Sequence, residues 1–294
     1  MKIASRRREL QAIRAVTVLT AWLAGSPALS ASEAPQWQLL ASADRVVAAG
    51  LAFREPEEEP PFELSLKFTN CAPLTGGCPE TSFDVSLAVM SKQQLAYLRR
   101  LNAKHVITFV SEYGAQRSIL LLSGALEEAL EPYSSDRAEA IAAEAKRNVE
   151  AYDRARAARN QLCPEGNALH EKVVGLIDDL SVSEVAATAA MSQLEALGSA
   201  AVPYIVCALD SATKPYPGRV LRVPGAGGTS IGEAEAQYTP QQQVDVLDLV
   251  LIRLTGRSFG SIVNGGSTEE RARVVRGWWI LLGRRLATAT PAAE

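Results

Sequence analysis

The period of the hydrophobic pattern changes once along this 294-residue chain, near Asp136. Before that point, apolar and polar residues alternate over short runs such as 62–69 and 83–89, and a period of two is typical of half-buried strands. After it, apolar residues recur every three or four positions, as in residues 173–180, which is the spacing of one helix face. The sequence therefore predicts an α+β protein in which a small β-barrel or sandwich precedes a helical domain.

Five strands and one short helix are predicted in the first half of the chain. The strands cover residues 44–53, 62–69, 83–89, 105–110 and 117–122. Ser91 and Gln94 have the spacing of a capping box, which predicts a helix from there to about Leu101. Cys71 and Cys78 bracket a turn-rich loop between the second and third strands, so this hairpin is predicted to carry a disulfide.

The second half of the chain is predicted to be helical. A long, charged, Ala-rich helix is predicted over residues 133–162, with Asp136 and Glu139 as its predicted cap. We expect it to bridge the two halves, because its apolar face is weak. Further helices are predicted to begin at Ser181, where Glu184 completes a capping box, and near Pro203, Thr239 and Ser267.

Residues 194–205 join two predicted helices through a Leu-Gly turn at Leu197-Gly198 and an Ala-Val-Pro start at residues 201–203. Glycine favours the left-handed conformation just after a helix, and proline is tolerated in a first turn. This segment resembles a HEAT-like helical repeat, over residues 170–212 and more weakly over 240–286. The resemblance implies stacked helices and binding to another protein, without specifying which protein.

A second resemblance concerns the β-rich half. Residues 43–47 and 107–109 resemble segments of the OB-like barrel shared by netrin-type modules and tissue inhibitors of metalloproteases. Those inhibitors bind the metal of their target through an N-terminal cysteine. The expected mature N-terminus here, near Ala31, has no cysteine, so the resemblance implies the barrel fold and not the inhibition.

Residues 1–30 are predicted to be a signal peptide. Lys2 and Arg6–Arg8 form a basic n-region, residues 15–25 form an apolar h-region, and Ala28–Ser30 form a small-residue cleavage motif. An uncleaved anchor is the alternative, but the apolar run of residues 15–25 is much shorter than the ~20 residues of a spanning helix. Residues 5–10 also resemble the twin-arginine motif, with Glu at the position of the usual Phe, so Sec and twin-arginine export both stay open.

The predicted mature chain is acidic and extracytoplasmic. Residues 1–30 carry five of the 30 basic residues and one of the 33 acidic residues, so the expected mature net charge is about −7. An acidic chain argues against nucleic-acid binding through a basic face. We expect a periplasmic or secreted protein with no transmembrane segment in the mature chain, because charges interrupt every later apolar run.

These signals together predict five segments. They are a signal peptide at 1–30, a β-rich OB-like domain at 31–132, the charged bridging helix at 133–162, a HEAT-like helical domain at 163–286 and a disordered tail at 287–294. A single clear repeat falls short of the three or more that a solenoid usually needs.

Four cysteines in an exported chain favour disulfides. Cys71 and Cys78 form the local pair. Cys163 and Cys207 remain as a second pair, although Cys207 also fits a buried helix face. The two histidines of the chain lack zinc-ligand spacing relative to each other and to the cysteines, so no metal and no cofactor are predicted.

Two serines stand in a Gly-x-Ser-x-Gly motif, Ser230 and Ser258. In hydrolases this motif holds the nucleophile and a histidine follows later in the chain, but no histidine follows His170 here. Ser211 and Lys214 match a Ser-x-x-Lys pattern without its companion motifs. No catalytic residue is therefore predicted.

The insertion at residues 213–238 contains three prolines and many glycines. Loops of this length in a compact domain are usually functional or disordered, and Tyr and Arg dominate binding hot spots. The predicted partner-binding anchors are Tyr216, Arg219, Arg222 and Tyr238. The expected function is an exported, non-enzymatic module that binds another protein. An extracytoplasmic hydrolase with an unrecognised active site and a purely structural envelope-associated protein are the alternatives.

Overall fold

The structure, a computed structural model, describes residues 36–289 apart from residues 58, 114–115, 122–124, 219, 224–235 and 261. The predicted signal peptide lies outside the described residues. Within them the chain forms two compact units, one ending at Glu150 and the other beginning at Ala151. The boundary falls inside the predicted bridging helix. We call these two parts the barrel unit and the helical unit.

The barrel unit contains a closed five-stranded β-barrel. Its strands are β1 (Arg45–Ala52), β2 (Phe62–Thr75), β3 (Ser82–Val89), β4 (His105–Tyr113) and β5 (Gln116–Ile119). Their order is β1-β2-β3-β5-β4, and β4 pairs with β1 to close the barrel. All pairings are antiparallel except the short parallel one between β3 and β5, where Ser86 lies opposite Ser118. This confirms the α+β class and the OB-like barrel, and it decides for a barrel over a sandwich.

Four further elements complete the barrel unit as far as Pro132. Helix α1 (Gln36–Ser42) precedes β1, α2 (Lys92–Leu101) connects β3 to β4, and α3 (Leu126–Ala129) leads into a short strand, β6 (Leu130–Pro132). Strand β6 pairs with the first half of β4. The sequence patterns predicted α2 but not α1, α3 or β6, which are too short to show a period.

Alternating apolar and polar residues of the strands face the inside and the outside of the barrel. Every second residue is buried in β3 and in the first half of β2, as far as Phe68, and the Phe68 and Phe83 rings stack at 5.2 Å between centroids. Strand β2 continues past its predicted end at Thr69 to Thr75, because its second half pairs with β1 across irregular register positions. The extension carries Cys71 into the strand, and Cys71 and Cys78 form the predicted disulfide with their Cα atoms 6.0 Å apart.

The helical unit begins within the long helix α4 (Ser135–Ala157), whose first part belongs to the barrel unit. The helices that follow are α5 (Arg159–Leu162), α6 (Ala168–Asp179), α7 (Glu184–Ala196), α8 (Val202–Ala208), α9 (Gln243–Thr255) and the long α10 (Thr268–Ala289). The predicted stops are present, since Gly198 and Gly256 have positive φ angles at the ends of α7 and α9. Helix α10 includes residues 287–289, which were predicted to belong to the tail.

Two predicted helix caps are each wrong by two residues. Helix α7 is capped by Ser183, which accepts a hydrogen bond from the Ala186 amide at 3.2 Å, and not by Ser181. The reason is that the amides of residues 180–182 turn back onto carbonyls of the last turn of α6, so Ser181 belongs to the end of that helix. Likewise Ser134, not Asp136, caps α4 by accepting from the Arg137 amide.

Cys163 and Cys207 form the second disulfide, with a Cα separation of 6.6 Å. The bond joins the end of α5 to α8, and both cysteines are buried.

Among the described residues, no single helix has the length and apolar composition needed to cross a membrane. Only the bent pair Glu184–Ala196 and Gly198–Ser211 has that length and composition, and only when its two segments are counted together.

Glycine-to-alanine substitutions in two helices are expected to have opposite effects. In α10, a Cβ on Gly283 would overlap the Ala151 carbonyl, which is backbone and cannot rotate away, so Gly283→Ala should lower the free energy of unfolding by about 1–3 kcal/mol through overpacking. In α6, Gly175 is exposed and has open space around it, so Gly175→Ala should raise stability by about 0.5–1 kcal/mol. Urea denaturation of both variants measures the two signs, and equal signs would contradict this packing.

Candidate interaction site

The described parts of residues 212–244 form an antiparallel arm on the helical unit. At its base, backbone hydrogen bonds join Val244 to Ala212 (3.0 Å), Gln243 to Lys214 (3.0 Å) and Tyr216 to Gln241 (2.9 Å). Further out, strand β7 (Leu221–Val223) pairs with β8 (Ala236–Tyr238). We call residues 212–216 and 241–244 the stem. The sequence predicted an insertion without a core, and a paired stem is the part that it missed.

Asp245 fastens this stem to two helices. Its carboxylate is fully buried and accepts hydrogen bonds from the backbone amides of Gln241 (2.8 Å) and Gln242 (3.0 Å), which caps the first turn of α9. The same carboxylate receives two bonds from Arg271 of α10, Nε at 2.8 Å and Nη2 at 2.9 Å. A fork of this kind is the strong, directional form of an ion pair. The stem therefore has a fixed position on the helical unit.

The loop between α9 and α10 holds the other side of the stem. The Asn264 side-chain oxygen accepts a hydrogen bond from the Thr239 amide at 2.9 Å. Gly265 has a φ of +84°, and a side chain there would collide with the Gln241 amide group. Glycine is thus favoured at this position by its backbone conformation, whereas the Gln241 side chain could move to relieve the collision.

The predicted anchors have different surroundings. Tyr216 is only 6% exposed, its ring lies against Gly218, and burial is the main reason that the pKa of its hydroxyl is raised. In this conformation Tyr216 packs the base of the arm and does not face solvent. Tyr238 is half-buried at the end of β8. Arg222 lies in β7, and its side chain, like the whole of Arg219, lies outside the described residues.

The residues of the hydrolase-like motifs are not brought together. Ser258 donates its hydroxyl to the Gly260 carbonyl at 2.8 Å within a turn, and Ser211 donates to the Ala208 carbonyl at 3.0 Å. Lys214 forms an ion pair with Asp178 at 2.6 Å. Ser230 lies outside the described residues. In the described part of the chain, no group of three His, Cys, Asp or Glu side chains is placed to hold a metal ion.

Asp248 is a buried acid that the sequence analysis did not single out. It lies one turn after Asp245 in α9 and is fully buried, and one carboxylate oxygen accepts a hydrogen bond from the Trp278 indole nitrogen at 2.8 Å. Burial raises the pKa of Asp248 to about 7, against the opposing effect of the Trp278 and Ile262 hydrogen bonds. The sequence did contain a signal for this site, since Asp245 and Asp248 lie three residues apart in an otherwise apolar helix. Acidic side chains are almost never fully buried without a partner, so acids on a buried helix predict partners nearby.

The outer face of β2 and β3 is the surface on which OB barrels often bind oligonucleotides and oligosaccharides. Its exposed side chains here are Glu63, Ser65, Lys67, Asp84 and Ser86. Aromatic stacking platforms and a run of positive charge are what single strands require, and neither is present among these side chains. This face therefore offers less to a ligand than the arm does.

Comparison of the chain with protein-family models, with curated proteins and with solved structures finds no match.

Proposed function

We propose that this protein is an exported, non-enzymatic interaction module that binds another protein through the outer part of its arm, residues 217–238. The observation that carries the proposal is the clamp at the stem, in which Asp245 joins two backbone amides and Arg271. Holding a binding segment in place before the partner arrives lowers the conformational entropy lost on association. The HEAT-like character of the helices belongs to the same proposal, since stacked helices present surfaces to proteins.

Arg219, Arg222 and Tyr238 are the proposed anchors. Tyr216 is not among them, because its buried ring packs against Gly218 at the base of the arm. Tyrosine gives a large contact area with few flexible bonds, arginine gives several hydrogen-bond donors in a planar group, and single hot-spot truncations cost about 2 kcal/mol or more. The proposed location is the periplasm or the medium, which fits the two disulfides of the structure.

Photo-crosslinking tests the proposal. A photoreactive residue at position 219 or 222 of the full exported chain is expected to give one discrete adduct, whereas the same residue at Glu63 or Lys67 of the barrel face is expected to give none.

The affinity for the partner identified by crosslinking provides a second test. The double variant Arg219→Ala/Arg222→Ala should bind that partner at least about thirtyfold more weakly. The matched double variant Arg54→Ala/Arg100→Ala removes the same charge from the barrel unit and should leave affinity unchanged. Adducts from the barrel positions alone, or equal affinity of the two double variants, would show that the arm is not the binding site.

A further inference from the structure

Two arginines of the helical unit share one carboxylate, and a third arginine lies beside a ring that one of them also contacts. Arg156 near the end of α4 and Arg159 of α5 both form ion pairs with the same oxygen of Asp210, Arg159 at 3.6 Å. Arg159 also donates to the Cys207 carbonyl at 3.0 Å, next to the disulfide that joins α5 to α8. Arg159 and, through Asp210, Arg156 are therefore held close to this covalent link.

Aromatic rings hold two of the guanidinium groups. Arg156 lies over the Trp279 ring at 4.7 Å and over the Tyr152 ring at 6.0 Å from the centroids. Arg276 of α10 lies over the same Tyr152 ring at 5.7 Å. Two positive groups are thus held beside one ring, and cation–π contacts of this kind restrict where each guanidinium can go. We call Tyr152, Arg156, Arg159, Asp210 and Arg276 the arginine cluster.

The arginine cluster has an excess of two positive charges. Its members carry three guanidinium groups and one carboxylate, and among the described residues no acidic side chain forms an ion pair with Arg276. Asp153, the neighbour of Tyr152, pairs with none of the three arginines within the described chain. The side chains of Arg156 and Arg159 are 35% and 45% exposed, so solvent and solutes reach them. The arginine cluster is therefore a positively charged patch on a chain whose net charge is negative.

We propose that the arginine cluster binds the phosphate group of a phosphomonoester, whose two negative charges match the excess. Guanidinium groups bind phosphate oxygens through paired N–H donors, and both rings orient the donors before the ligand arrives. Asp210 acts as an internal competitor, because it occupies donors of Arg156 and Arg159 that a phosphate would use. This site is separate from the arm, and it does not depend on the protein–protein function proposed above.

Thermal unfolding of the mature, oxidised protein in increasing inorganic phosphate tests this site, with chloride keeping the ionic strength constant. Phosphate should raise Tm progressively, since a ligand that binds only the folded state stabilises it by mass action. Arg276→Gln should weaken the phosphate affinity by about tenfold, and Asp210→Asn should strengthen it by freeing two arginines. Arg100→Gln is the matched control, because Arg100 lies over the Tyr97 ring at 5.3 Å in the barrel unit and should leave the phosphate effect unchanged.

The strengthening by Asp210→Asn distinguishes binding from a structural role, which would predict only weaker stability. Co-sedimentation with phosphatidylcholine vesicles, with and without phosphatidic acid, identifies the source of the phosphate. Binding to the phosphatidic acid vesicles that free phosphate reverses indicates a lipid headgroup, whereas a phosphate effect on Tm without vesicle binding indicates a soluble ligand. A Tm that does not respond to phosphate beyond the chloride control, or an equal response in Arg276→Gln, would overturn the proposal.

Discussion

Replacing Asp245 by alanine is expected to lower the free energy of unfolding of the helical unit by about 3–5 kcal/mol. The reason is that the substitution leaves Arg271, whose side chain is 13% exposed, without its carboxylate partner, and leaves the Gln241 and Gln242 amides without their acceptor. Urea denaturation measures the change. In a Trp37→Phe background, the fluorescence of the mature chain reports Trp278 and Trp279 of the helical unit alone.

A second ion pair of the same unit provides the control for Asp245. Arg253 and Glu195 are 2.9 Å apart, but their side chains are 26% and 28% exposed. Pairs that keep contact with water contribute about 0–1 kcal/mol, so Glu195→Ala should cost at most about 1 kcal/mol. If Asp245→Ala and Glu195→Ala destabilise the unit equally, the clamp at the stem does not hold the arm as described here.

The stability of the helical unit is expected to fall as the pH rises from about 4 to about 7, because of Asp248. Its pKa is raised from 3.8 to about 7 in the folded state, chiefly by burial. Between these values the folded unit holds one more proton than the unfolded chain, so its contribution is complete below pH 4 and is lost as the pH approaches 7. Each pH unit within that range removes at most about 1.4 kcal/mol, or about 4 kcal/mol in all.

Asp248→Asn removes the titrating group and keeps its shape. The unfolding free energy of the wild-type unit relative to this variant should therefore fall steadily from pH 4 to pH 7 and stay constant above it, in urea titrations at each pH. Asp84→Asn, a change on the exposed outer face of the barrel, should leave the pH profile of the helical unit unaltered. Parallel profiles for the wild type and Asp248→Asn would mean that Asp248 titrates at the same pH in the folded and unfolded states.

Local signals predicted much of this structure. The alternation of residues 83–89 became strand β3, the spacing of residues 173–180 became part of α6, and Gly198 and Gly256 stop their helices with positive φ angles. Ser267 and Glu270 form the predicted capping arrangement, with the Ser267 amide 2.6 Å from the Glu270 carboxylate and the Glu270 amide 3.2 Å from the Ser267 hydroxyl. Each of these features depends on residues at most four positions apart or on one glycine backbone.

The candidate sites were predicted less well. The insertion and its ends were evident from its prolines and glycines, but the stem was not, because its hydrogen bonds join residues near Ala212 to residues near Val244. The serines at 183 and 134 displaced Ser181 and Asp136 as helix caps because the preceding elements determined where each helix could begin. The arginine cluster takes its members from α4, α5 and α10, which no single stretch of sequence connects.

The sequence by itself determined the type of most elements, the α+β class and the pairing of Cys71 with Cys78, because periodicity, glycine conformation and a short loop act over a few residues. The tertiary structure alone decided the closure of β1 on β4, the pairing of Asp245 with Arg271 and the contact of Asp248 with Trp278. Those partners lie far apart along the chain, and each pairing is selected by the burial of a whole surface at once. A buried carboxylate needs a partner, but its position along the chain does not say which residue the fold will bring to it.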